Sequence, residues 1–588
     1  MKINGYHKKR RAVLSRPSRL FAVLAAVAFL SPAAPRAEAQ ADQMVADIEV
    51  HSLAGSYLAG RIAGGLRDSE AASRFYAIAL EADPDNLSLL DRSFALSLIA
   101  GNMEQAMATA GRIAELDPTH RLAQLALAVD AIRGRQYAEA ERRLAETGNG
   151  PLAELTSTLL RAWAEAGVGD VEQSLDTVAS LSGPEWYKVF KPYHSGLIAS
   201  VSGDDDAAGA YFEEAYNADS DAIRIVQAWS RYLAKVGRTD EAIAVLDEFE
   251  TVVPNHPLIA SAREEIAAGR VPPPIVKTAQ DGAAEVLYGI GSALGSENGE
   301  EYAAVYLRLG LHLSPQKPLA ILSLADYYEK IADSEKAIEV YGSISKDSPL
   351  RNNADIHRAL NLDDLERTDE AIAALDAVIE QNPDDSEAII ALGNILRGRE
   401  RFSEAADVYT RAIDRIATPT ARDWALFYFR GMCYERAKRW PLAELDLQKA
   451  LELNPDQPHV LNYLGYSWVD QGLHLDEAMD MIARAVELRP NDGYIVDSLG
   501  WAHYRLGQYD DAVRELERAV ELKPEDPIIN DHLGDAYWKV GRKLEAQFQW
   551  SHARDLDPDP DVLTKIMEKL ESGLKPDRAE IELRRDNG

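Results

Sequence analysis

An all-α chain of stacked helix pairs is the fold this sequence predicts, on three observations. First, a small residue recurs at a spacing of 34: Ala72, Ala106, Ala140, Ser174, Ala208 and Ala242, then Ala303, Ala337, Ala371 and Ala405. Ala443, Ala478, Ala512 and Ala546 continue it at spacings of 38, 35, 34 and 34. Second, Pro stands twelve residues after the mark at 84, 118, 254, 315, 349, 383, 455, 490, 524 and 558. Third, Gly stands twelve before it at 60, 196, 291, 393, 431, 500 and 534, and thirteen before it at Gly465. Between these marks, apolar residues recur at helical spacing in two stripes separated by a short turn.

The physics of a helix pair accounts for the marks. Two antiparallel helices cross closely only where small side chains let the backbones approach, and Gly500 with Ala512 is read as such a facing pair. Ala519 does the same toward the next unit, while Leu499, Tyr509 and Leu516 fill the remaining space. Pro524 ends one helix and pre-sets the turn before the next. A single pair cannot bury both of its faces, so pairs must stack.

A 34-residue unit with LG early, Ala in the middle, a bulky residue four on, Ala three further and Pro near the end resembles the tetratricopeptide repeat (TPR). The resemblance spans about residues 53–558, in fourteen units. It is strongest over 427–558 and weakest over 151–190, where Ser174 replaces Ala and Trp186 replaces Pro. It implies a right-handed superhelical solenoid and a protein-binding role.

Taken from the N-terminus, residues 1–20 are basic, Phe21 to Leu30 is a ten-residue apolar run, and SPAAPRAEAQA follows. This is the layout of a secretory signal peptide over 1–39, cut near Ala39 or Ala41 or retained as an anchor. The run is shorter than the roughly 20 residues a spanning helix needs. No Cys follows closely for lipid attachment. The mature chain is expected to be exported, to the periplasm of a Gram-negative cell, with no transmembrane segment. Residues 53–270 form six repeats plus one extra helix at 256–269. VPPPI, within a connector over 271–280, cannot be helix interior. Residues 281–574 form eight repeats and a capping helix at 560–573. The interruption makes two blocks, or a bulge in one continuous superhelix. ATPTARD, 417–423, lengthens one loop, and 575–588 is a polar tail.

Charge narrows the partners. The net charge is −33, and residues 1–39 carry eight basic residues against Glu38 alone, so the remainder carries −40. Such a body repels phosphate backbones, which excludes nucleic acid as the expected partner. Cys433 is the only cysteine and is read as a buried thiol.

Catalytic patterns are lacking: the sequence has no HExxH, paired CxxC, Walker loop or GxSxG. YGIGSALG, 288–295, carries glycines without a preceding strand and is read as packing. In DPDPDVLTKIME, 557–568, Asp557, Asp559, Asp561 and Glu568 match calcium-loop positions 1, 3, 5 and 12. Val562 stands where the sharp turn needs Gly, so the stretch is read as a turn and an acidic helix start. DDD at 204–206 is another helix start. The chain is read as non-catalytic, with no metal and no cofactor.

The TPR resemblance implies that the first helix of each unit lines a concave face, at positions three before, one after and four after the early Gly. Around Gly431 these are Tyr428, Met432 and Glu435, and around Gly465 they are Asn462, Tyr466 and Val469. Around Gly500 they are Asp497, Trp501 and Tyr504, and around Gly534 they are Asp531, Asp535 and Trp538. Tyr428, Asn462, Tyr466, Asp497, Trp501, Tyr504, Asp531, Asp535 and Trp538 are the candidate partner-binding residues. Asn and Asp side chains hold peptide backbone, and the rings supply contact area at low entropy cost. The expected partner is a protein or peptide with basic or amide donors. The exported arrays that deliver envelope proteins to carboxyl-terminal processing proteases are similar, so a periplasmic protease or cell-wall hydrolase is an expected partner. A structural part of envelope assembly or polysaccharide export is the alternative.

Overall fold

The computed structural model describes residues 52–66, 68–145, 150–295 and 299–574. The export signal expected over 1–39 and the tail expected over 575–588 lie outside the described residues. Among the described residues every regular element is an α-helix. The chain divides at Gln381/Asn382 into two compact units.

The first unit opens with six helix pairs: α1 Leu53–Gly65 with α2 Ser69–Ala82, α3 Leu87–Ala100 with α4 Met103–Leu116, and α5 Arg121–Arg133 with α6 Tyr137–Leu144. Then come α7 Pro151–Val168 with α8 Val171–Ala179, α9 Tyr187–Ser202 with α10 Asp205–Ala218, and α11 Ile223–Lys235 with α12 Thr239–Val252. A single helix follows, α13 Pro257–Ala267. After a non-helical stretch at 271–278, three more pairs complete the unit. These are α14 Ala279–Gly295 with α15 Glu300–Leu313, α16 Pro318–Lys330 with α17 Ser334–Gly342, and α18 Arg351–Asp364 with α19 Thr368–Gln381.

The second unit holds five pairs and a final helix. They are α20 Ser386–Gly398 with α21 Phe402–Ile413, α22 Trp424–Arg436 with α23 Trp440–Leu453, and α24 Pro458–Gln471 with α25 Leu475–Leu488. Next are α26 Gly493–Arg505 with α27 Tyr509–Leu522 and α28 Pro527–Lys539 with α29 Lys543–Asp555, and last α30 Pro560–Ser572. The loop at 417–423 is closed by Asp423, which accepts from the Thr420 backbone N–H at 2.7 Å.

Local chemistry sets the helix boundaries. Asp68, Asp204, Asp333 and Asp385 each accept the N–H three residues on, at 2.8–3.1 Å. Asp204 is therefore a cap, and Asp205 and Asp206 follow in the first turn, where the helix dipole favours acid. Five residues before the mark, the turn inside the pair is left-handed: Gly101, Gly169, Gly203, Gly237, Gly507 and Gly541, but also Arg135, Ala332, Glu366, Glu400 and Lys438.

All fourteen marks lie in second helices and are at most 3% exposed. At Ser174 the hydroxyl donates to the Ala162 carbonyl at 2.7 Å, so a polar side chain is accommodated by bonding across the crossing. At Gly291, Gly431 and Gly465 the expected Gly–Ala facing holds, since a Cβ would come 2.9–3.2 Å from the carbonyl of the Ala at the mark, and the glycines do a second thing as well. A Cβ on Gly500 would sit 2.6 Å from Leu516 Cγ, and Gly196, Gly393 and Gly534 likewise face Phe212, Tyr409 and Trp550. The missing side chain makes room for the bulky residue four after the mark. Gly291, within YGIGSALG, is the same device, placed against Leu307. Cys433 is buried, and burial pushes its thiol up to about 12.

Candidate functional site

The candidate row is built on α22, α24, α26 and α28. Asp492 caps α26 by accepting the Tyr494 N–H at 3.1 Å. Asp526 caps α28 by accepting from Ile528 and Ile529 at 2.9 and 3.0 Å, with Pro527 in its first turn. Spacings of four and then three residues place Asp497, Trp501 and Tyr504 on one face of α26. The same spacing places Asp531, Asp535 and Trp538 on one face of α28.

The structure draws two clusters from this row. In the first, Trp501 stacks on Tyr504 with centroids 4.7 Å apart and on His532 at 4.0 Å. His532 Nδ1 lies 2.9 Å from the buried Asp497 carboxylate. Burial opposes a charge on His532, but Asp497, with Asp531 and Asp535 behind it, raises its pKa. Tyr466 is half-buried, and burial with the Asp497 charge pushes its phenol up.

In the second cluster, Lys569 from α30 places its ammonium 2.8 Å from both Asp531 and Asp535. Trp550 Nε1 also donates to Asp535 at 2.9 Å. Burial and the Asp531 charge push the Asp535 carboxyl up to about 6, against the pull of Lys569. Trp538 is half-buried, with Lys543 Nζ 4.9 Å from its ring. Gly573 lies close enough to Trp538 that a Cβ there would be 2.1 Å from the ring.

Tyr428 and Asn462 stand apart from both clusters. Tyr428 is buried edge-on against Tyr463, with centroids 6.0 Å apart. Asn462, Met432 and Val469 are also buried. Glu435 accepts the Tyr463 hydroxyl at 2.9 Å.

Sequence reasoning missed His532, Lys543 and Lys569. Lys569 had a signal: it lies 34 residues after Asp535, so the repeat register carried one period further reaches it. What remains open on this surface is aromatic. Tyr466, Trp501, Tyr504 and Trp538 offer half-buried rings, while the carboxylates beside them are already engaged internally, by His532 and Lys569.

A tetratricopeptide repeat model matches residues 322–386, 356–421, 390–458 and 434–493, and a TPR repeat model matches 500–541. A TPR repeat-containing protein of Pseudomonas aeruginosa is 28% identical over 196 residues, covering 33% of this chain and 32% of that protein. Human tetratricopeptide repeat protein 13 is 29% identical over 174 residues, covering 29% of this chain and 20% of its own length. The chain thus spans a third or less of the length of these relatives. Among solved structures, the APC/C hetero-tetramer Cut9–Hcn1 aligns over 90% of this chain and 98% of its own, at 14% identity and a TM-score of 0.37. Yeast Tom70 aligns over 91% and 99%, at 14% identity and a TM-score of 0.34.

Proposed function

This chain is a tetratricopeptide repeat protein, of a class that generally acts as protein-interaction scaffolding, and from that premise we propose that it is a non-catalytic exported scaffold recruiting a partner protein. Recruitment runs through the first helices of the second unit. The observation that carries this is the row of half-buried rings at Tyr466, Trp501, Tyr504 and Trp538, on consecutive first helices. Stiff rings give contact area at low entropy cost, and half-burial holds them in place before a partner arrives. An acidic body of −40 favours a partner with basic groups, which would compete with His532 and Lys569 for the carboxylates.

The basic, apolar and small-residue succession over 1–39 supports export to the periplasm. There the scaffold brings a substrate protein, such as a cell-wall hydrolase, to an envelope protease. The test is an affinity pull-down from the native envelope, run with the wild-type chain and with a Trp501→Ala, Trp538→Ala variant. Loss of one specific partner at unchanged helical content by circular dichroism supports the proposal. Equal recovery by both chains rejects the groove as the binding surface.

A further inference from the structure

Four of the first helices in the first unit's opening row are already covered, and by the same chain. α14 and α15 pack on α3, α5, α7 and α9, all of them first helices of earlier pairs. α13, which precedes the hairpin in sequence, packs instead on α12 and α11. The ordinary end-to-end stacking of pairs is therefore replaced, after the non-helical 271–278, by a hairpin laid across four earlier helices.

The contact is close and specific. Gly282 of α14 meets Trp163 of α7, where a Cβ would be 2.3 Å from the indole. Trp163 is fully buried, and its Nε1 donates to His194 Nδ1 at 3.2 Å. Tyr306 of α15 reaches the Thr156 hydroxyl at 3.3 Å, and Arg308 donates to the Ile99 carbonyl at 3.2 Å. His312 Nε2 lies 2.8 Å from Asp130. At the centre, Glu285 is 1% exposed. It takes Arg224 of α11 at 2.7 and 2.8 Å, Lys317 at 2.5 Å, and the Tyr193 hydroxyl of α9 at 2.8 Å.

We infer that α14 and α15 are the built-in ligand of the first unit. Its first-helix face takes a helical hairpin, with small residues at the contact and one carboxylate seated between two cations, and is closed to outside partners. The chain link at Arg270, ahead of the packed Pro273 and Val276, is one that this association does not need once it has formed. Arg224, largely buried on that face, also explains the choice of hairpin, because another helix without that acid would leave its guanidinium without a carboxylate, while Lys317, just after the hairpin, stays with Glu285. The inference needs no outside partner, so it stands or falls apart from the function proposed above.

The test uses the full chain with a protease recognition sequence inserted after Arg270, which is exposed. After cleavage, the two pieces are expected to co-elute at the intact size on gel filtration and to part only in denaturant. Separation in native buffer overturns the inference. In a cleaved chain also carrying Glu285→Lys, the carboxylate becomes a third cation, and the pieces are expected to separate. Co-elution as tight as before removes the assigned role of Glu285 in holding the hairpin. Closure is read separately with Thr156→Cys in the intact chain. The thiol is expected to stay unlabelled by maleimide in native buffer, and labelling at the rate of a free thiol overturns the closure.

Discussion

Lys569 holds its ammonium 2.8 Å from Asp535, so the last helix of the second unit supplies the cation for a carboxylate of the helix pair before it. Asp531 shares the same ammonium at 2.8 Å. Two of the candidate partner-binding carboxylates are thus part of how α30 is held, together with Ile566 and the contact of Gly573 with Trp538.

Lys569→Ala is expected to raise the Asp535 carboxyl above its present value of about 6, because the group that opposes burial and Asp531 is gone. The folded value already lies above the ordinary 3.8, so the fold favours the protonated acid. That contribution is fully present below about pH 4 and is lost as pH rises through 6. The variant should therefore lose stability more steeply than wild type between pH 5 and 7, by about 3 kcal/mol at neutral pH. Carboxyl-carbon NMR titration of both proteins checks this. An unmoved Asp535 titration would show that the ammonium contributes little.

Asp497→Asn is expected to drop the His532 pKa below the ordinary 6.5, since burial then acts without its main opponent. In wild type the raised value means a stabilising contribution that is complete below pH 6.5 and is lost as pH rises through the folded pKa. The variant should lack that pH dependence and be weaker by about 1–3 kcal/mol at pH 6. Imidazole proton shifts report the titration directly. A His532 that still titrates above 6.5 would assign the shift to Asp531 and Asp535 instead.

Glu285→Ala leaves Arg224 and Lys317 buried without their carboxylate. Burial alone would raise the Glu285 pKa, yet these two cations hold it far below the usual range, a sign of how closely they are engaged. The expected cost is about 3–5 kcal/mol. Denaturant unfolding followed by Trp163 fluorescence should show a lowered midpoint for the first unit. A change under about 1 kcal/mol would contradict the pairing.

Ala332→Gly addresses the turn between α16 and α17. Ala332 has φ +61, a conformation Gly adopts without steric cost, and it is exposed. Relief of that strain, about 1–2 kcal/mol, exceeds the added chain entropy of glycine, so a gain of up to about 1 kcal/mol is expected. The same change at Ala337, a fully buried mark inside α17, should destabilise by about 1 kcal/mol. Thermal melts of the two variants moving in the same direction would refute the assignment.

The helix pairs were legible in the sequence because their causes are local or strictly periodic. Ala512, Leu516 and Pro524 each act within one pair or on the next, and a spacing of 34 repeats those contacts along the chain. The candidate row was legible in part for the same reason. Asp497, Trp501 and Tyr504 share a face by helical spacing alone, but their partner His532 belongs to the next pair, and its ring is recruited by packing.

From sequence alone came the all-α class, the register of the pairs, the break at 271–275 and the small residues at every crossing, since each follows from side-chain size and spacing along one or two helices. Only the tertiary structure decided that Gly500 clears space for Leu516, that Lys569 sits on Asp531 and Asp535, and that Glu285 meets Arg224, 61 residues away, as Tyr306 meets Thr156, 150 residues away. Those last meetings depend on rotation accumulated from pair to pair. No local pattern encodes that sum, and a small change per pair would have carried the hairpin past the face it fills.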